Sequence, residues 1–110
     1  GTKKHSQLVL EEVVESLGAH LSAYTSREHS AYYMKSLVKD LPKAVELLGD
    51  LIQNSSLSEP DLEHGRKLIL QEVQEMESNL EEVVFDHLHS TAFQGTPLGY
   101  TVVGPTDNIK

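Results

Sequence analysis

The sequence predicts an α+β fold in the order helix, strand, strand, helix, helix, helix. Three observations predict it. Several stretches carry apolar residues at the three-and-four spacing of one helix face. One stretch, from His20 to Leu37, instead alternates in character and holds Tyr24, Thr25, Tyr32 and Tyr33, which suit strands. From Gly95 onward, glycine and proline recur at Pro97, Gly99, Gly104 and Pro105, which reads as loop.

Each element follows from local chemistry. Ser6 is placed to cap a first helix, with Leu10, Val13, Val14 and Leu17 on one face. Gly18 stands where a left-handed stop is expected. His20–Glu28 and His29–Leu37 read as adjacent strands joined near Arg27–His29, although that turn lacks the Gly or Asn of a two-residue hairpin. Asp40 is placed to cap a second helix, with Pro42 in its first turn and Leu41, Ala44, Val45, Leu48, Leu51 and Ile52 in helical phase. Asn54–Ser56 breaks that phase. Ser58 starts a third helix whose first turn holds Glu59, Pro60 and Asp61, acids that suit the positive end of the helix dipole. Asn79 separates it from a fourth helix that runs to about Gln94. Three consecutive helices over a bare hairpin make a poor core. The strands are therefore expected to belong to a larger sheet completed by chain outside these residues.

Composition narrows the function classes. The 110 residues fit one small domain or part of a larger one, and 38% apolar content is enough for a core. A net charge of −8 argues against non-specific nucleic-acid binding, which needs Lys and Arg to neutralise phosphates. It suits a basic partner, or solubility alone. The absence of cysteine removes disulfides, thiolate zinc sites and cysteine nucleophiles. No apolar run is long enough to span a bilayer. The start, Gly-Thr-Lys-Lys, has no apolar region after it, so no signal peptide is visible, and any targeting segment of the parent protein would lie outside this chain.

Two acidic positions stand out. The inward stripe of the third helix reads Leu62, Gly65, Ile69, Val73 and Met76, and helical phase puts Glu72 on it. A lone carboxylate facing a core is costly unless paired, protonated or bound to a metal. The alternative is a stripe edge, with Glu72 reaching solvent or pairing with Arg66 or Lys67. On the fourth helix Glu82 and Asp86 are four apart and share a face. The planar fork of an arginine suits such a pair; a solvated acidic face, with Glu81 part of it, is the plainer reading. The six histidines form no ligand motif of their own. His87 and His89 are two apart and diverge on a helix, and His20 and His29 could meet across the strands.

The run Gly18–Glu28 (GAHLSAYTSRE), continued by His29–Tyr33 (HSAYY), resembles the strand pair of the pitrilysin-type (M16) metallopeptidases, an α+β family of LuxS/MPP-like fold. Asp40–Leu48, Ile69–Glu75 and Val83–Asp86 are similar, more narrowly, to a branch of that family. That branch holds mitochondrial presequence-processing peptidases and core subunits of the respiratory bc1 complex. The similarity covers essentially the whole chain. It implies that residues 1–110 are an internal part of one N-terminal peptidase domain. It also implies a His-x-x-Glu-His motif on a helix just upstream of Gly1, giving two zinc ligands and the general base.

The resemblance further implies that Glu72 is the third Zn²⁺ ligand, and that no catalytic base lies within the chain. Ser22, Ala23 and Tyr24 match the edge strand that takes up substrate through main-chain hydrogen bonds. Glu82 and Asp86 match acids that receive the arginine of a basic presequence. Two positions depart from the family pattern: Ser22 replaces a usual Asn, and Gly65 replaces a usual Glu near the zinc, where its loss could weaken metal affinity. One reading is then the catalytic subunit of a presequence-removing endopeptidase that works with an alpha subunit. The other is a bc1 core subunit paired with a second core subunit and without peptidase chemistry. Both lie in the mitochondrial matrix or on the matrix side of the inner membrane. On either reading the isolated 110 residues are expected to be inactive. A third possibility is a helical module that binds a basic peptide through its acidic face without metal.

Overall fold

The Ser6 hydroxyl accepts from the Val9 amide at 3.4 Å, satisfying one of the amides that a helix start leaves without an internal partner. Helix α1 (Gln7–Ser16) follows, and Gly18 turns the chain with a φ of +58°, a conformation glycine reaches without a Cβ clash. The computed structural model describes all 110 residues, Gly1–Lys110. Strands β1 (His20–Thr25) and β2 (Ser30–Lys35) pair as a two-stranded antiparallel sheet. Helices α2 (Leu41–Gln53), α3 (Glu59–Glu77) and α4 (Leu80–Ala92) complete the expected order.

The strands are shorter than their pattern predicts because Ser26 closes the turn early. Its amide donates to the His29 carbonyl at 2.8 Å, and its hydroxyl accepts from the His29 amide at 3.2 Å. A serine hydroxyl thus does what Asn or Gly does in tighter hairpins. His29 lies in this turn while His20 opens β1, so the two histidines sit at opposite ends of the hairpin rather than facing each other.

Asp40 occupies the cap position of α2, but its side chain makes no capping bond. A single 3-10 turn, Val38–Asp40, runs straight into the helix. It leaves Asp40 with φ −99° and ψ 2°, away from the extended geometry that aims a cap side chain at the helix amides. The face that α2 buries also differs from the expected one. Ala44, Leu47 and Asp50 are buried, whereas Leu41, Val45 and Ile52 are exposed. Apolar residues cover so much of this helix that periodicity could not choose the face; packing against β2 does.

Contacts divide the backbone into two compact units. The first comprises Gly1–Tyr24 and Ser30–Asp61, and it holds the buried apolar residues Leu10, Ala44 and Leu47. Its N-terminal segment is tied to the end of α2 and the residues after it. Thr2 pairs with Ser55 in an antiparallel bridge, and the Lys3 amide donates to the Asn54 carbonyl at 3.0 Å. The second unit comprises Thr25–His29 and Leu62–Lys110. Within it α4 packs on a 3-10 turn at Pro97–Gly99. Neither α3 nor α4 has a buried residue. No helix is long and apolar enough to cross a membrane.

Candidate functional site

The second unit contains an open hollow of about 510 Å³ at the junction of its two helices. Asn79 makes that junction. Its side chain accepts from the Glu82 amide at 3.4 Å and starts α4 directly after α3. The helical repeat then places Glu72 and Met76 one turn apart near the end of α3, and Glu82 and Asp86 one turn apart near the start of α4. All four line the hollow, with Glu81, Phe85, Val102, Val103, Thr25 at the end of β1 and Arg27 in the hairpin turn. The sequence therefore brings together the three acids expected to act: Glu72, Glu82 and Asp86.

Their surroundings differ. Glu72 and Glu82 are exposed, and neither side chain makes an ion pair. Asp86 is 25% exposed, and its Oδ1 accepts from Nη2 of Arg27, itself 18% exposed. Nε of Arg27 is buried without a hydrogen-bond partner. Four carboxylates thus line the hollow with one guanidinium among them. A surface of this kind attracts cations and gives a planar guanidinium carboxylates to bind.

The expected inward stripe of α3 is not buried. Leu62 and Ile69 are 51% and 40% exposed, and Glu72 stands at solvent. The rest of the second unit covers this side of α3 only in part: Val73 and Met76 are half-buried and no residue of the helix is fully buried, so desolvation gives no argument for a metal at Glu72. Nor does Glu72 pair with Arg66, which bonds Glu63 at 3.4 Å and the Lys110 carbonyl at 2.7 Å. Gly65 lies mid-helix with open space where a Cβ would be. Ser22, Ala23 and Tyr24 lie on β1, in the first unit, with β2 on one side of the strand.

No group of three or more His, Asp or Glu side chains is arranged to hold a metal ion. Glu72 fits as a single oxygen donor: it is exposed and carries no competing ion pair. A tetrahedral zinc needs three protein ligands even at a catalytic site, and these 110 residues do not gather such a set. His89 is engaged elsewhere, with Nδ1 2.7 Å from the Phe85 carbonyl.

Sequence reasoning missed two features. One is Arg27, whose pairing with Asp86 joins residues 59 positions apart and leaves no local signal. The other is a buried polar cluster in the first unit. Asp50 is 6% exposed on the buried face of α2 and accepts from the Asn54 side chain at 2.9 Å. His5 Nδ1 lies 3.9 Å from its other oxygen. The nearby Thr2 side chain, then the hydrogen bond from Asn54 and the neighbouring Lys4 and His5, hold the Asp50 carboxyl below the usual range, against the opposing effect of burial. The i, i+4 spacing of Asp50 and Asn54 was visible in the sequence; their burial was not. The cluster ties the N-terminal segment to α2 and is structural.

The chain is 62% identical to mitochondrial-processing peptidase subunit beta of Homo sapiens over all 110 residues, which are 22% of that protein. The subunit of Rattus norvegicus matches equally well and over the same share. Cytochrome b-c1 complex subunit 1, mitochondrial, of Homo sapiens is 56% identical over the whole chain and 23% of its own length. The chain thus spans between a fifth and a quarter of these relatives. Residues 1–106 match the model of the insulinase family, peptidase family M16, and the chain belongs to that family.

Proposed function

We propose that this chain is part of a zinc-dependent endopeptidase subunit that removes basic presequences from proteins imported into mitochondria. The observation that carries the reading is the hollow that gathers Glu72, Glu81, Glu82 and Asp86 around one guanidinium. Presequences are Arg-rich and poor in acids, so a wall of carboxylates is a fitting receptor. Glu82 and Asp86 bind the guest's arginine, and Ser22, Ala23 and Tyr24 pair with its extended backbone. Glu72 contributes a carboxylate to zinc, together with imidazoles from chain preceding Gly1. When bound, the ion supplies Lewis-acid activation of water and of the scissile carbonyl. The general base also comes from that preceding chain, and an alpha-type subunit is the partner. The place of action is the mitochondrial matrix or the matrix side of the inner membrane. The name and the identity of the processing-peptidase relatives support this reading.

Zinc content and peptide binding test it separately. In the full-length protein, Glu72→Gln is expected to lower zinc stoichiometry at limiting free metal; equal stoichiometry would remove Glu72 from the ligand set. Glu82→Gln combined with Asp86→Asn is expected to weaken binding of an Arg-bearing presequence peptide at low salt. Each lost charged hydrogen bond is worth about 1.5–3 kcal/mol. Equal affinity in wild type and variant would remove the acidic pair from recognition.

A second reading, a structural core subunit of the bc1 complex, is favoured by the 56% identity to such a subunit and by Gly65 standing where the family resemblance implies a carboxylate. An intact His-x-x-Glu-His before Gly1 supports the peptidase; a substituted first histidine supports the core subunit.

A further inference from the structure

We propose that Arg27 is an internal stand-in for the arginine of a basic guest. Its guanidinium sits on Asp86, so an incoming peptide meets Glu82 first and gains Asp86 only by displacing Arg27. The inference rests on the reading of Glu82 and Asp86 as receptors for a basic peptide, and it adds a residue that sets how strongly they receive it.

Three observations carry it. The first is occupancy. Oδ1 of Asp86 already accepts from Arg27, so the two-bond, fork-to-fork contact that makes arginine recognition strong is not open to a guest at this carboxylate. Glu82 is exposed, one turn away on the same helix and in the same hollow. The second is incomplete satisfaction. Nε of Arg27 is buried without a partner, and a buried donor left unmet is costly. Moving Arg27 into water restores hydrogen bonds to that group and offsets part of the cost of breaking the pair. The third is the mounting. Arg27 rides a turn closed by Ser26 through bonds to the Glu28 and His29 backbone. None of these bonds uses the Arg27 side chain, so it can swing away with the turn intact.

Charge gives the direction of the effect. With Arg27 in place, one of the four carboxylates lining the hollow is neutralised. Without it, the hollow holds one more net negative charge and an open Asp86. Arg27 therefore lowers affinity for basic guests and keeps the site from holding them tightly.

The test measures binding of a short labelled peptide with one arginine, against the same peptide carrying neutral citrulline, at low salt. The protein is full-length, with its partner subunit. Arg27→Ala is expected to tighten binding of the arginine peptide about tenfold, the scale of one charge-assisted contact, and to leave the citrulline peptide unchanged. The double variant Arg27→Ala with Asp86→Asn is expected to return to the wild-type affinity. Arg27→Gln, which keeps side-chain length and a donor, replaces the alanine variant where melting curves show that one to be unfolded.

Equal or weaker arginine-peptide binding in the Arg27 variants overturns the proposal and leaves the peptidase reading intact. A gain that persists in the double variant also overturns it. Binding by the Arg27 variants but not by wild type supports the proposal and counts against wild type as a presequence receptor. Binding by none overturns both.

Discussion

Asp50 carries a charge on the side of α2 that faces the core of the first unit. Thr2, Asn54, Lys4 and His5 favour its ionised form, so the folded carboxyl releases its proton more readily than the unfolded one. Its stabilising effect is therefore present above the usual carboxylate range and is lost as pH falls through the lower, folded value. The melting temperature should change little in this respect between pH 7 and about 5, and should fall once pH passes below about 4. In Asp50→Asn the neutral-pH melting temperature should be lower and the fall in acid shallower; parallel curves for the two proteins would argue against the cluster. Glu46 is shifted the same way, first by its bond to Lys43, but it lies in open solvent where its share is screened. At this scale the sequence was legible where one residue acts on its near neighbours. Ser6, Gly18, Ser58 and Asn79 do what their types predict. The burial of Asp50 and the pairing of Arg27 were not legible, since they depend on the N-terminal segment around His5 and on Asp86, far away along the chain.

The helices were readable as elements, and their faces were not. Caps and breaks depend on short-range chemistry, so the starts of α1, α3 and α4 could be placed from Ser6, Ser58 and Asn79. Which face is covered depends on what else is present. In α2 that moved burial onto Leu47 and Asp50; in α3 it left Glu72 at solvent. Two substitutions test helix chemistry without touching packing. Gly65 sits inside α3 with nothing within 4 Å of where a Cβ would stand. Gly65→Ala should thus raise stability by up to about 1 kcal/mol, read as a shift in the urea midpoint. Asn79→Ala removes the α4 cap and should lower stability by about 1 kcal/mol. Leu57, between α2 and α3, holds a φ of +45°, a conformation strained for a branched side chain. Leu57→Gly should relieve that strain, and a lower midpoint for this variant would contradict it.

Across the whole molecule, burial is uneven. Leu47 is 2% exposed and anchors the first unit with Leu10 and Ala44, while α3 and α4 bury no residue. Amide exchange tracks such differences, so amides of α2 around Ala44 and Leu47 should exchange more slowly than those of α3 and α4. Leu47→Ala should cost about 2–5 kcal/mol and remove that protection. The hairpin has a different consequence. The protein has no tryptophan and four tyrosines, all of them exposed, and Tyr24, Tyr32 and Tyr33 ride the two strands. Its near-ultraviolet emission therefore originates largely from the ribbon, and a soluble quencher such as iodide has access to it. A guest laid along either strand would shade those rings and announce its arrival as lost quenching, with no dye attached.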